Sequence, residues 1–391
     1  MKQAVILAAG EGQRLRPFTV SKPKSMLFIA GRPILDYVVE SLARIGIRSI
    51  VLVVGYRKEQ VFDYMGSGER LGVDIAYVIQ ENQLGTGHAL LQAREKAQNE
   101  FLVLPGDTLI DPDTIAQFAQ ARPEAMLVKK VADPMRYGVV FLERGRLKSI
   151  TEKPKLAASN LVSTGIYAFS RSVFDFLENR LDIPDALNEM VARGIPIEAV
   201  ETDGTWLDIL YPWDILGAND AILRKAAARF GGIIESGVSL RGQVTIGKGT
   251  VIRSNSYIVG PVVIGDGCDI GPSAHIQPAT SIGNNVIISS FTALKNSVIG
   301  NDVNIGSGCI IEDSVIDLGC VIKGNFTACS GQTEVTINSE SLQINMGAIL
   351  GEGCSLGNNV VAQPGVILGN YSQVQPLKLI SGRLPDRSLV Y

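Results

Sequence analysis

Two hydrophobic rhythms divide the 391-residue chain. Over the first half, short apolar runs alternate with stretches whose apolar residues recur at helical spacing. Ala4 to Ala8, Ser49 to Val54, Ile75 to Ile79 and Phe101 to Leu104 read as buried parallel strands, which lack polar alternation because both faces are covered. Between them, Ile34, Leu35, Val38, Val39, Leu42 and Ile45 mark one helical face ending at Gly46. Further helices are expected around 88–98 and from Pro112 to Ala121. This alternation predicts an α/β domain, a mostly parallel sheet with helices on both faces. Ligands of such sheets sit beyond the carboxyl ends of the strands.

Helical spacing stops at Ala226-Ala227-Ala228-Arg229, and a six-residue period takes over. Aliphatic residues fall six apart without a miss from Ile234 to Leu294, slip by one, and resume at Ile299, Ile305 and Ile311, then at Ile316 and Ile322. The period returns at Leu350, Leu356, Ala362, Leu368 and Val374. A hexapeptide repeat with glycine at its turns predicts a parallel β-helix, each hexad forming one flat side and three sides closing a coil. The expected domains are 1–229 and 230–391, with a loop insertion at about 323–347.

Composition narrows the function. Apolar residues make up 46% and charged residues 19%, which suits a globular protein of two domains. A net charge of −3 without a basic block argues against sequence-independent nucleic-acid binding. No apolar run approaches membrane-spanning length, and the chain enters a strand at once, so neither a membrane span nor a secretory signal is expected. Cysteines 268, 309, 320, 329 and 354 form no C-x-x-C pair, which fits a reduced, cytoplasmic protein. With His88 and His275 as its two histidines, the chain is poorly equipped for a histidine zinc site or a Ser-His-Asp triad.

The first strand runs into Gly10-Glu11-Gly12-Gln13-Arg14-Leu15-Arg16, and Lys24 follows within Lys22-Pro23-Lys24. Glycines let a backbone approach an anion, and N–H groups with Arg and Lys cradle phosphates. Leu15 stands where a dinucleotide fingerprint needs its third glycine, and no Gly-Lys-Ser/Thr of a Walker loop follows. Taken alone, the loop could be a tight turn with solvated arginines. Gln80 to Ala89, with Gly85 and Thr86, follows a strand and opens a helix on the same edge; its simpler reading is a helix entry capped by Thr86. Gly106-Asp107 ends a buried strand, where an aspartate is often only a turn cap. Tyr137-Gly138, Glu152-Lys153-Pro154, Thr164-Gly165 and Trp206-Leu207-Asp208 complete the set.

Leu7-Ala8-Ala9-Gly10-Glu11-Gly12-Gln13-Arg14-Leu15-Arg16-Pro17, then Lys22-Pro23-Lys24-Ser25-Met26, then Gly31-Arg32-Pro33-Ile34-Leu35, resembles the sugar-1-phosphate nucleotidylyltransferases, and the later motifs follow in family order. The resemblance implies a Rossmann-like mixed, mostly parallel sheet followed by a left-handed β-helix. It also implies an Mg²⁺-dependent reaction of an NTP with a sugar 1-phosphate. Arg14 and Lys24 would be catalytic, and Asp107 and Asp208 would bind the metal. Leu7, Ala8, Ala9, Gly10, Gly12, Gln13, Gln80, Gly85 and Thr86 would bind nucleotide. Gly138, Glu152, Lys153, Thr164 and Gly165 would bind the sugar phosphate, Lys153 its phosphate. Gln80 and Gly85 suit a pyrimidine, UTP or dTTP, while the Lys22-to-Met26 run is also similar to guanylyl-transferring members. His88 is expected to pack or cap.

The whole layout resembles the bifunctional N-acetylglucosamine-1-phosphate uridylyltransferase/glucosamine-1-phosphate acetyltransferases, archaeal forms included, or glucose-1-phosphate thymidylyltransferases. It implies a homo-oligomer, such as a trimer, assembled through the β-helix. The chain departs from the acetyl-transfer pattern: Ser290 and Ala293 stand at its His-x-x-Tyr positions, and Gln343-Ile344-Asn345-Met346 where lysines are expected. Serine does not serve as a general base near neutral pH. A working acetyltransferase and a non-catalytic regulatory paralogue are the two alternatives.

Overall fold

The apolar runs of the first half become neighbours in one nine-stranded sheet. In this computed structural model, which describes residues 1–337 and 340–391, β1 (Gln3–Ala8), β2 (Ser49–Val54), β3 (Asp74–Ile79) and β4 (Glu100–Pro105) pair in parallel in the order β3-β2-β1-β4. After β5 (Thr108–Ile110), which lies outside this sheet, come β6 (Ala125–Lys130), β7 (Gly138–Glu143), β8 (Arg146–Glu152), β9 (Leu161–Ser170) and β10 (Glu198–Glu201). These continue it as β4-β9-β6-β10-β8-β7. β9 runs antiparallel to both β4 and β6, so the sheet is mixed. β5 pairs instead with β11 (Trp206–Asp208), antiparallel, with Asp208 opposite Thr108.

Side chains alternate across the strands and so build two cores. Val5, Val51, Val53 and Val103 face one of them; Ala4, Ile6, Ile50, Leu52, Leu102 and Leu104 face the other. The helices α1 (Ile34–Arg44), α2 (Lys58–Met65), α3 (Thr86–Gln92), α4 (Pro112–Phe118), α5 (Val173–Leu177) and α6 (Ile183–Ala192) divide between these faces. The first core takes α3, α5 and α6, the second α1, α2 and α4. α3 ends earlier than its apolar spacing suggests. Past Gln92 the bonds tighten to three-residue turns, Ala93 N–H to Leu90 O and Arg94 N–H to Leu91 O. Among the described residues no helix is long and apolar enough to cross a membrane.

By contacts the chain forms two units. The first is 1–11, 22–26 and 34–208; the second is 12–21, 27–33 and 209–391. The division therefore falls at Asp208 and Ile209, whereas position 229 marks where helical spacing gives way to the hexads. α7 (Asp214–Leu223) belongs to the second unit.

The hexads of that unit form three parallel sheets of nine, nine and eight strands, the flat sides of a parallel β-helix. Ile264, Ile270, Ile276, Ile282 and Ile288 stack inside it, each essentially buried. Successive coils put Asp269 over Ile287, eighteen residues on, and Ile287 over Asn304, seventeen on. The phase slip after Leu294 is thus one side shortened by a residue, with the strands still in register. At one corner Asp266, Asn284 and Asn301 hand side-chain oxygens up the stack, accepting from the N–H groups of Lys248, Asp266 and Asn284 at 2.6, 2.8 and 2.8 Å. The insertion is narrower than expected. Thr327–Ala328 still pairs with both neighbouring coils, because Ala328 keeps the six-residue step from Ile322. What departs from the coil is an antiparallel hairpin, Gly331–Ile337 with Glu340–Met346; residues 338 and 339 lie outside the described residues.

Residues 12–21 and 27–33 contribute to this unit through polar contacts. Asn370 donates to Pro17 O at 3.0 Å, and Ser21 donates to Glu352 at 2.6 Å. Asn219 on α7 is fully buried; it accepts from Ala30 N–H at 3.0 Å and donates to Ala279 O at 2.8 Å. Truncating it leaves a buried carbonyl and a part-buried N–H unmatched. Asn219→Ala is therefore expected to cost about 2–4 kcal/mol in chemical denaturation, and a loss below about 0.5 kcal/mol would contradict this linking role.

Candidate active site

Parallel strands β1 to β4 deliver their carboxyl ends to one edge, and a cavity of about 320 Å³ in the first unit lies there. Leu7, Ala9 and Gly10 line it at the end of β1, Gln80 and Gln83 just past β3, and Pro105 and Asp107 at the end of β4. Gly106 brings two of these ends together. Its N–H bonds Leu7 O at 2.8 Å, and a Cβ there would lie 2.8 Å from that of Ala8. Ala8 itself turns into the core.

At the Asp107 end three charged side chains converge. Lys24 sits on a one-turn helix, Lys24–Met26, and its Nζ lies 2.7 Å from Asp107 and 3.3 Å from Asp208. The β5–β11 pairing is what unites the two aspartates: it sets Asp208 opposite the residue after Asp107. Burial alone would lower the pKa of Lys24, but the two carboxylates outweigh it and hold the ammonium well above its ordinary range. One cation between two anions leaves the group net negative. Both carboxylates reach a single Nζ, so their oxygens converge on one point, as a small hard cation requires. Among the described residues no cluster of three or more His, Cys, Asp or Glu exists. The two aspartates therefore suit a metal that draws its other ligands from phosphate and water, as magnesium does.

The opposite end is built by the turn into α3. Gly85 has φ +148°, and a Cβ there would lie 2.4 Å from Leu181 O, so only glycine fits. Gln80 is buried, and its Nε2 donates to Gly85 O at 3.1 Å and lies 2.9 Å from His88 Nδ1. Thr86 meets Asp182, which accepts from its N–H at 3.1 Å and from its hydroxyl at 3.2 Å; Thr86 Oγ1 in turn accepts from Ile183 N–H at 3.1 Å. Thr86 and Asp182 thus join the entries of α3 and α6, and both line the cavity with Ile183.

Gly165 and Tyr167 close the remaining wall, where the β9–β6 register shifts between Ser163 and Tyr167. Burial pushes the Tyr167 phenol up to about 12, more than its 3.0 Å hydrogen bond with Ser163 draws it back, so it stays neutral. Thr164 is buried and donates to Leu127 O at 2.8 Å, leaving its backbone carbonyl to accept from Trp206 Nε1 at 3.2 Å. Gly138 and Glu152 are paired across β7 and β8, and Lys153 bonds its N–H to Tyr137 O at 3.0 Å and its ammonium to Glu152 at 3.4 Å. These three do not line the cavity.

Gly12, Gln13 and Arg14 belong to the second unit. Gln13–Leu15 is a one-turn helix, with Gly12 O accepting from Thr19 at 2.8 Å. Sequence reasoning gave His88 only a packing or capping role and passed over Gln83, Tyr167 and Asp182. Only Asp182, just before Ile183-Pro184, carried a signal: that of a helix N-terminus.

Known proteins align with this arrangement. Residues 3–225 match the nucleotidyl transferase family model, and residues 258–345 match the GMPPB C-terminal domain. A "Bifunctional protein GlmU" of Methanococcus maripaludis strain C5 is 37% identical over 99% of this chain and 97% of its own length. A "Bifunctional sugar-1-phosphate nucleotidylyltransferase/acetyltransferase" of Sulfurisphaera tokodaii is 31% identical over 96% of each. Among solved structures, a putative glucose-1-phosphate thymidylyltransferase from Bacillus anthracis aligns at TM-score 0.53 and 28% identity. It covers 59% of this chain and 97% of its own. Nucleotidyltransferases of this family generally use a divalent metal. The mixed sheet, the Lys24–aspartate group at its edge and these full-length matches lead to one statement: the chain belongs to the nucleotidyl transferase family.

Proposed function

We propose that this chain makes an NDP-sugar and pyrophosphate from a sugar 1-phosphate and a pyrimidine NTP, UTP or dTTP, with Mg²⁺. The observation that carries the reading is Lys24 shared between Asp107 and Asp208 at one end of a cavity whose other end offers the Gln80 carboxamide. That spacing suits a triphosphate at the charged end and a base at the amide end. Asp107 and Asp208 would hold Mg²⁺, which when bound neutralises phosphate charge.

The sugar-phosphate oxygen forms a bond to the α-phosphorus as the bond to the β-phosphate oxygen breaks, and the electron pair leaves with pyrophosphate. The nucleophile is already an anion, so no strong base is needed; positioning and charge neutralisation do the catalysis. In this reading Lys24 holds the α-phosphate, Arg14 the leaving phosphates and Lys153 the sugar phosphate. Leu7 to Gly10, Gly12, Gln13, Gly85 and Thr86 border the nucleotide, and Gly138, Glu152, Thr164 and Gly165 the sugar. Residues 1–229 would carry this chemistry, and the left-handed β-helix of 230–391 would assemble a homo-oligomer, such as a trimer. Five unpaired thiols suit the reducing cytoplasm.

A second reading adds acetyl transfer in the β-helix. The relatives' names favour it. Acetyl-CoA consumption with glucosamine 1-phosphate is its readout.

Pyrophosphate release with Mg²⁺, crossing UTP, dTTP and GTP against glucose, N-acetylglucosamine and mannose 1-phosphates, tests the main reading. Release is expected in at least one pyrimidine well, falling by about three orders of magnitude or more in Arg14→Ala and Asp208→Asn while both stay folded. Silence in every well would favour a non-catalytic paralogue, and near-wild-type turnover in either variant would overturn the residue assignment.

A further inference from the structure

One corner of the β-helix changes its habit where residues 12–21 meet it. The corner that carries Asp266, Asn284 and Asn301 continues, coil by coil, through Leu318, Glu352, Asn370 and Asp386. Its last rungs repeat the ladder: Asn370 Oδ1 accepts from Glu352 N–H at 2.7 Å, and Asp386 Oδ1 from Asn370 N–H at 2.7 Å. At Glu352 the ladder breaks. Leu318, one coil earlier, finds its acceptor in the preceding residue, Asp317, at 2.9 Å. The longer Glu352 side chain turns to other partners, accepting from the Ser21 hydroxyl at 2.6 Å and from the Tyr371 hydroxyl. Asn370 also reaches out of the ladder, donating from Nδ2 to Pro17 O at 3.0 Å, and both of these residues are buried.

The segment held in this way is the one that carries Arg14. Its internal bonds lead from the anchored residues back to that turn. Val20 N–H donates to Pro17 O at 3.2 Å, the buried Thr19 hydroxyl to Gly12 O at 2.8 Å, and Leu15 N–H to the same Gly12 O at 2.9 Å. Gly12 and Leu15 bracket Arg14, so displacing Pro17 or Ser21 displaces the turn on which Arg14 stands. We infer that Glu352 and Asn370 are positioning residues for nucleotidyl transfer: they fix residues 17–21 and, through them, Arg14, so that turnover depends on the last coils of the β-helix. This rests on the reading that Arg14 holds the leaving phosphates. A reaction that needs no strong base draws its rate from charges already in place, and a loosely held guanidinium stabilises the transition state less than a fixed one.

Asn370→Asp separates the two tasks of that side chain. Aspartate keeps the ladder oxygen, as Asp266 and Asp386 do on the same corner, but has no hydrogen to give Pro17 O and sets a carboxylate against it. Asn284→Asp makes the same change on a rung that bonds Asp266 N–H and not residues 12–21. In pyrophosphate release with the wild type's best NTP and sugar 1-phosphate, Asn370→Asp is expected to lower kcat about tenfold with KM for the sugar 1-phosphate unchanged, and Asn284→Asp to match the wild type. Glu352→Ala is expected to fall similarly, and Glu352→Gln, which keeps an acceptor for Ser21, to recover most of the rate. Hydrogen exchange reads the anchor without turnover: amides of residues 12–21 are expected to exchange about tenfold faster in Asn370→Asp and Glu352→Ala than in the wild type or Asn284→Asp. Unchanged exchange would overturn the anchoring. Faster exchange with unchanged kcat, or an equal loss of rate in Asn284→Asp, would overturn the positioning role, while loss of turnover in Arg14→Ala leaves the reading of Arg14 intact. Near-wild-type turnover in Arg14→Ala, or a wild type silent with every substrate pair, would overturn that reading and this inference with it.

Discussion

Lys24 held between Asp107 and Asp208 is the interaction on which the first unit's edge is arranged. None of the three could stand there alone at low cost. An unpaired carboxylate or ammonium in this half-buried place would lose hydration without return. Three separate pieces of chain must therefore arrive together: the end of β4, the end of β11 and the one-turn helix at Lys24. Gly106 lets β4 end close against Leu7 and Ala8, and the β5–β11 pair brings Asp208 across from Thr108. Trp206, on the same short strand, donates to Thr164 O and ties β11 to the bulge of β9. The same contacts that place the charges also shape the cavity wall.

Geometry of this kind favours a role for Lys24 in handing charge over. The ammonium offsets one of the two aspartate charges; were phosphate and a divalent ion to enter, the same ammonium would have a new anion to meet. The far end of the cavity works on different physics. Gln80 bonds Gly85 O and His88, and Thr86 bonds Asp182, so this end presents mostly neutral donors and acceptors with one carboxylate.

How much of this the sequence disclosed depended on the range of the signal. The β-helix was legible because each hexad reports its own side, and even the seventeen-residue coil showed as a one-residue slip. Ala328 was missed there, a small residue where Ile and Leu set the rhythm. The strands β1 to β4 stood out as apolar runs. Strands β6 to β10 did not, since their order β9-β6-β10-β8-β7 mixes antiparallel pairs with the parallel β6–β10 pair and depends mostly on partners distant in sequence. Asp107 and Asp208 lie a hundred residues apart, and only the fold or a family resemblance can join them. His88 looked like an ordinary helix residue, and its 2.9 Å contact with Gln80 Nε2 is set by the fold rather than by a local mark.

Manganese binding, followed by electron paramagnetic resonance in the presence of a nucleoside triphosphate, tests the central claim most directly. If Asp107 and Asp208 converge on one cation position beside Lys24, Asp208→Asn will weaken Mn²⁺ binding by about tenfold or more while the variant stays folded. Equal affinity in the wild type and Asp208→Asn would contradict it, and the Lys24 group would then be a structural ion pair at the edge of the sheet.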